Sequence, residues 1–300
     1  MIVQIPEQYD LCLSYSWGPI NQGMCGHLFE CIEYYYILKE HYKLCIFIPE
    51  KISEQYIRKT IEDKYTFTDD EVNDIISNII IGDGPFILKG GNLLLVDAGF
   101  SKLTNRHLLF NNIMAFPCAD MAFKDKAGIT VFQDDRLYGT DSLCTTHNYI
   151  KKILLDKYRP IGESAENVNL VYATKNARGL DESIYSELSE KYPGDFLLLT
   201  NTEIKTKLSD RYTLEEMPVK NLFEKFSTYI YTPVSKKYDC SPRFLVECKY
   251  YGKEVIFHEI DYWDIDLGLK WRVHDIEHDY QSLFLRDDDP IVELIGNVIG

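Results

Sequence analysis

Leu11-Cys12-Leu13-Ser14-Tyr15, a glycine-punctuated loop, the segment His27 to Tyr42 and then Leu44-Cys45-Ile46-Phe47-Ile48 form the stretch on which the fold class turns. In its middle segment Leu28, Ile32, Tyr35 and Tyr36 recur every three to four residues or side by side, the period of a helix buried along one stripe. The flanking runs are apolar at nearly every position, so each reads as a strand covered on both faces. A strand, a helix and a second buried strand predict a right-handed βαβ unit in a parallel sheet with helices on its faces.

Outward from this unit the rhythm continues. Ile52, Tyr56, Ile57 and Ile61, then Val72, Ile75, Ile76 and Ile79, predict one or two helices within residues 51–80. Short apolar runs bounded by Gly, Asp and Pro predict strands at Phe86–Leu88, Leu93–Val96, Ile113–Phe116 and Ile129–Phe132. A helix is expected at Asn148–Lys157, followed by the polar segment Gly162 to Asn167, which marks a boundary. The second half alternates more regularly: strand Leu170–Ala173, helix Glu182–Lys191, strand Phe196–Thr200, helix Val219–Phe226, strand Thr228–Tyr231, helix Arg243–Tyr251 and strand Val255–Phe257. Two further helical stretches, Glu277–Arg286 and Ile291–Val298, close the chain. The expected architecture is α/β, with two doubly wound Rossmann-like domains, residues 1–160 and 161–285, and a helix in 286–300 that packs back. In such folds ligands bind outside the carboxyl ends of the strands, so a cleft shared by the two domains is the expected site.

Composition narrows the function classes. The chain has 300 residues, 45% apolar and 26% charged, enough for two packed cores and incompatible with a disordered or fibrous chain. A net charge of −15 opposes sequence-blind attraction to nucleic acid over the whole surface, while leaving room for a local basic wall. No apolar run approaches the roughly 20 residues of a membrane span, and residues 1–10 lack the layout of a secretory signal, so a cytoplasmic location is expected. Eight cysteines without CxxC or zinc-ribbon spacing read as reduced core thiols.

Three segments carry chemistry. Gly18-Pro19-Ile20-Asn21-Gln22-Gly23-Met24-Cys25-Gly26-His27 joins the first strand to the first helix, and either makes a tight turn or brings backbone and helix N–H groups to a ligand. It matches neither the dinucleotide nor the P-loop fingerprint. Ala173-Thr174-Lys175-Asn176-Ala177-Arg178-Gly179 occupies the equivalent place in the second half, where Lys175 and Arg178 are either solvated cations or donors to a diphosphate. Asp239-Cys240-Ser241-Pro242-Arg243-Phe244-Leu245-Val246-Glu247 precedes a glycine and a buried strand. Its two carboxylates can reach a strand end and grip vicinal hydroxyls, or the segment is a capped helix with a solvated Glu247.

This last arrangement resembles the nucleotide-sugar-binding half of GT-B glycosyltransferases, which carries an acid-x7-acid element. Asp239 stands where the family has a glutamate, and Pro242 lies two positions further from that acid than in the common form. The resemblance implies that Glu247 holds the ribose hydroxyls and Asp239 lies near the donor sugar. Lys175, Arg178 and Arg243 would neutralise the diphosphate, with Ser241 among the donor-binding residues. Phe132-Gln133-Asp134-Asp135-Arg136-Leu137 is similar, as F-x-D-x-R-L, to the segment of phage DNA β-glucosyltransferases that supplies the base. Carried over, Asp134 takes the proton of an acceptor hydroxyl as that oxygen attacks the anomeric carbon with inversion. An acceptor-binding carboxylate and a structural cap are the alternatives.

His27 either contacts the acceptor or departing phosphate or caps and packs the helix start, and Gly18, Asn21 and Gly23 would line the donor or acceptor. The implied enzyme needs no metal or other cofactor and uses a nucleotide sugar, expected to be a UDP-sugar, as co-substrate. The acceptor is either a hydroxymethylated pyrimidine in phage DNA, placing the enzyme in a host cytoplasm, or a saccharide or small molecule. A DNA acceptor would call on Lys102, Arg106, Lys124, Lys126 and Arg136. A two-lobed ligand-binding protein without chemistry and a degenerate transferase are the competing classes.

Other patterns fit less well. His274-Asp275-Ile276-Glu277-His278 matches HxxEH, but only 22 residues follow it, too few for the distant acidic ligand of an inverzincin. Asp264-Ile265-Asp266 reads as a turn rather than a metal-binding DxD, and Asp287-Asp288-Asp289-Pro290 as a solvated loop capping the last helix.

Overall fold

The computed structural model describes residues 2–15, 26–49, 51–82, 87–98, 107–117, 128–136, 144–173, 183–200, 208–216, 219–232, 243–258 and 267–300. The chain divides into two compact units, residues 1–159 together with 281–300, and residues 160–280.

The first unit contains β1 (Ile2–Gln4), β2 (Leu11–Ser14), α1 (Gly26–Leu38), β3 (Leu44–Ile48), α2 (Glu54–Lys64), α3 (Asp69–Ser77), β4 (Ile79–Ile81), β5 (Ile87–Ala98), β6 (His107–Pro117), β7 (Ile129–Gln133) and β8 (Thr145–Asn148). Its strands pair in parallel in the order β4-β3-β2-β5-β6-β7-β8, and β1 adds to β5 ahead of β2. This is a Rossmann-like order, which reverses direction between β2 and β5.

The βαβ reading holds because β2 and β3 are buried at every position and pair in register, Cys12 with Cys45 and Leu13 with Ile46. Tyr34 of α1 packs on Phe116 at 4.9 Å between ring centroids, and Phe116 in turn meets Phe132. α1 ends at Leu38, earlier than Tyr42, where the N–H of Tyr42 folds back on the Leu38 carbonyl.

Several expected elements are different. The strands expected at Phe86–Leu88 and Leu93–Val96 are one long strand, β5, which runs through Gly90-Gly91 because a side chain at Gly90 would meet the Phe110 ring at 2.7 Å. Ile79 opens β4 instead of closing a helix, and pairs with Ile46. The helix expected at Asn148–Lys157 is absent: Thr145–Asn148 is a strand paired with β7, and only Leu155–Lys157 forms a 3-10 turn. Tyr149, Ile153, Leu154 and Leu155 are buried through an extended path that feeds Ile153 into a bridge with Phe284. Between β5 and β8 no described residue is helical, so helical crossovers on both faces are not seen for this unit among the described residues.

The second unit contains β9 (Val168–Ala173), α4 (Ser183–Lys191), β10 (Asp195–Thr200), β11 (Tyr212–Glu216), β12 (Thr228–Tyr231), α5 (Arg243–Tyr250), β13 (Glu254–Phe257) and α6 (Leu267–His278). Its parallel sheet runs β11-β10-β9-β12-β13, again Rossmann-like, with the reversal between β9 and β12. Ile184, Tyr185 and Leu188 of α4 pack with Val171, Phe196, Leu198 and Ile230. Phe244 of α5 packs edge-on against Tyr172 and Tyr229, side chains that alternate with Val171 and Ile230. By strand periodicity α4 and α5 therefore lie on opposite faces. The helix expected at Val219–Phe226 is only a 3-10 turn, Leu222–Glu224, and β11 is an edge strand that the apolar pattern did not announce.

The tail joins the first unit from Gln281 onward. It carries a 3-10 turn, Tyr280–Leu283, and α7 (Ile291–Ile299), while the expected Glu277–Arg286 helix is cut short because α6 ends at His278. Asp289 is not solvated: its carboxylate is buried, pairs with Lys152 at 2.7 Å and accepts from the Ile291 N–H. Among the described residues, Cys12, Cys31, Cys45, Cys144 and Cys248 are buried and in no disulfide, and no helix is long and apolar enough to cross a membrane.

Candidate functional site at the carboxyl edges of the two sheets

In open α/β sheets the strand order reverses where two adjacent loops diverge, leaving a crevice at the carboxyl edge. In the second unit that edge is built by Ala173, Thr200 and Thr232. The Thr200 hydroxyl donates to the Ala173 carbonyl at 2.8 Å, tying β10 to β9 at their last paired residues. Thr232 follows β12 directly and is 2% exposed, yet its hydroxyl has no hydrogen-bond partner among the described residues. A buried hydroxyl left unpaired costs free energy, so its presence at this edge needs an explanation.

α5 starts close by in sequence, with Arg243 as its first residue. Arg243 Nε donates to Glu247 Oε1 at 2.9 Å, one turn along, and both side chains are nearly buried. Glu247 is therefore a paired, buried carboxylate and not a solvated one. Its charge has visible effects: the Cys248 thiol is pushed well up by burial and then by Glu247, and the Tyr251 hydroxyl is raised by burial and by the same carboxylate. Neither group offers a nucleophile near neutral pH.

In the first unit the corresponding edge gathers Tyr15, His27, Gln133, Asp134 and Asn148. Ser14 is fixed to β3 through its hydroxyl, which donates to the Phe47 carbonyl at 2.8 Å. Tyr15 stands over His27 with ring centroids 6.0 Å apart, which places the imidazole in the first turn of α1 beside the end of β2. Asp134 follows β7 and is 5% exposed. Its Oδ1 accepts from the Arg136 N–H at 3.0 Å and from Arg136 Nε at 2.9 Å, and Oδ2 accepts from Nη2 at 2.5 Å. Such a fork fixes the carboxylate plane and occupies both oxygens. Gln133, 7% exposed, carries a buried Nε2 with no partner among the described residues.

The structure thus brings together Arg243 with Glu247, His27 with Tyr15, and Asp134 with Arg136. Gly18, Asn21, Gly23, Lys175, Arg178, Asp239 and Ser241 lie outside the described residues, as do Lys102, Arg106, Lys124, Lys126 and the Asp264–Asp266 motif. Thr232 and Gln133 were not singled out by pattern. Their one sequence signal is position, each at or just after the end of a buried strand. Glu30 and Lys151 were missed as well; they pair at 3.0 Å with both side chains mostly buried, on the second turn of α1. Among the described residues no group of three or more His, Cys, Asp or Glu side chains is arranged to hold a metal ion.

No protein-family model matches the chain and no curated protein sequence matches it, so the reading of these two edges rests on their residues.

Proposed function

We propose that the protein is a glycosyltransferase of GT-B type that moves a sugar from a nucleotide diphosphate donor to an acceptor hydroxyl. The observation that carries this reading is the nearly buried Arg243–Glu247 pair spanning the first turn of α5, in the unit whose switch-point strand is followed by Thr232, whose hydroxyl has no partner among the described residues. A guanidinium, a helix N-terminus and a free hydroxyl suit a diphosphate, and a fixed carboxylate suits ribose hydroxyls. Lys175 and Arg178, which follow β9 in sequence, would add positive charge. Asp239 and Ser241, which precede α5 in sequence, would reach the donor sugar.

In the reaction the acceptor oxygen bonds to the anomeric carbon as the bond from that carbon to the phosphate oxygen breaks. The leaving diphosphate keeps the electron pair and is neutralised by these cations. The acceptor proton goes to Asp134. Water must be kept from the donor, which it would otherwise hydrolyse.

The Arg136 fork favours a second role for Asp134: both oxygens already accept hydrogen bonds, so the carboxylate holds the acceptor hydroxyl without removing its proton. The Asp134→Asn variant separates the two. As base, its loss leaves donor binding intact and abolishes transfer; as a binding group, it raises the acceptor KM and leaves kcat within a few-fold.

Thermal-shift measurement against UDP-, GDP-, ADP- and CMP-sugars tests the donor. A true donor at 100 times its Kd stabilises the folded chain by about 2.7 kcal/mol. Glu247→Gln, which keeps a hydrogen-bonding oxygen for Arg243, should remove most of that shift while leaving the unliganded Tm close to wild type. No shift with any nucleotide sugar sinks the reading. Transfer of label to hydroxymethylated DNA with steep salt dependence, or to a saccharide, identifies the acceptor class. A bound sugar nucleotide recovered intact after long incubation with both acceptors identifies a binding protein instead.

A further inference from the structure

HxxEH does not make a protease site here, but α6 gives its two histidines another use. The helix turns Val273 and Ile276 into the second unit and leaves His274, Glu277 and His278 at the surface. Residues four apart on a helix stand one above the other, and the His274 and His278 rings lie with centroids 4.6 Å apart and planes at 59°. The His274 side chain is 49% exposed, so incoming solutes reach it. Two features raise the affinity of this spot for a cation. Asp275, 7% exposed, holds its Oδ1 3.9 Å from His274 Nδ1, and His278 is the last residue of α6, where the carbonyl end of the helix dipole is negative.

We propose that His274 and His278 form a two-imidazole chelating site for a borderline divalent transition ion, Cu2+, Ni2+ or Zn2+. Imidazole nitrogens suit these ions, whereas Mg2+ and Ca2+ take oxygen ligands. Each ring donates one nitrogen lone pair, and the ion spans one turn of α6. Water fills the other positions, since no third protein ligand is arranged among the described residues. Bound metal staples the last turn of α6, and because the ion binds only the folded helix in this geometry, it raises the stability of the second unit. Neither histidine is among the residues assigned to donor or acceptor, so failure of this site would leave the transferase reading untouched.

Calorimetric titration of the full-length protein with CuCl2, NiCl2, ZnCl2 and MgCl2 near neutral pH tests it. Cu2+ should bind most tightly, Ni2+ and Zn2+ less so, and Mg2+ should neither bind there nor compete. His274→Ala and His278→Ala should each weaken Cu2+ binding by at least the roughly tenfold that even loss of an outer-shell partner costs. Because the two rings act as one chelate, the double variant should lose little more than either single one. Both positions are at the surface and alanine favours helix, so circular dichroism should show unchanged folding. Electron paramagnetic resonance of the Cu2+ complex should show hyperfine structure from two nitrogens, lost in either variant. Unchanged Cu2+ affinity in both variants, displacement of Cu2+ by Mg2+, or loss of binding in Glu277→Ala with retention in His274→Ala would each overturn the proposal.

Discussion

Gly194 turns the chain from α4 into β10 with φ at 90°, in the left-handed region that side chains avoid. Space reinforces the conformational demand, since an added Cβ would sit 2.2 Å from the Asn167 carbonyl oxygen. The turn is then locked by Arg211, which donates to the carbonyls of Ser189, Tyr192 and Gly194 and so closes the end of α4 against the start of β11. Gly194→Ala must shift backbone and cannot relax by moving a side chain. It should cost more than about 2 kcal/mol, read as a lower urea midpoint with an unchanged slope. A loss under about 0.5 kcal/mol would mean the turn has another conformation. At the same scale, Glu247→Ala differs from the glutamine variant because it takes from the nearly buried Arg243 guanidinium the carboxylate it donates to, a loss of up to about 3–5 kcal/mol. A missing nucleotide-sugar response in the alanine variant alone would therefore say nothing about the donor.

At the scale of elements, α3 shows how a four-residue signal fixes a helix start. Thr68 accepts from the Glu71 N–H at 3.3 Å, and Glu71 accepts from the Thr68 N–H at 2.7 Å, a reciprocal cap with Asp69, Asp70 and Glu71 in the first turn. Burial by itself pushes the Glu71 carboxyl up, but the Tyr36 hydroxyl, the Thr68 N–H and Lys157 outweigh it and hold the group below its ordinary value of 4.5. A lowered folded-state value means that the contribution is complete above that ordinary value and is lost as pH falls through the folded one. Glu71→Gln should thus lower stability at neutral pH by about 0.5–2 kcal/mol and flatten the acid limb of the stability curve below pH 4.5. An acid limb identical to wild type would remove Glu71 from this role.

Elements with such local signals were legible in the sequence, as were β2, α1 and β3, because burial on every side leaves an uninterrupted apolar pattern. Val219–Phe226 misled because Phe223 and Phe226 owe their spacing to an aromatic cluster with Phe244, not to a helix; Asn221, with φ at 52°, breaks the run. Asn148–Lys157 misled for a similar reason, with Tyr149 facing Phe116 and Tyr34 while Ile153 turns toward the tail. Of the candidate site, Arg243, Glu247 and Asp134 were nameable from sequence because each stands in a spaced pattern. Thr232 and Gln133 could not, since a lone polar residue after a strand acquires meaning only when its buried, unpaired atom is seen.

At the scale of the whole molecule, the first unit is completed by residues that follow the second in sequence. Leu283, Leu285, Ile291 and Ile295 are each no more than 1% exposed, the Ile153 N–H donates to the Leu283 carbonyl, and the Leu285 N–H donates back to Ile153. The Tyr42 hydroxyl donates to the Val292 carbonyl at 2.7 Å, and Lys152 pairs with the buried Asp289. Burying four such side chains is worth about 1.5–3 kcal/mol each. Together they rival the roughly 5–15 kcal/mol that holds a whole domain folded. A chain ending at Tyr280 should therefore lose the folded first unit, not merely loosen it. Hydrogen exchange would show this as loss of protection for β3 and β5 amides, while β9, β10 and β12, in the contiguous unit 160–280, keep theirs. A peptide of residues 281–300 added in trans should restore protection of β3 and β5. If the shortened chain instead keeps slow exchange in β3 and β5, the tail is only an accessory, and the first unit must draw its stability from the segment between β5 and β8.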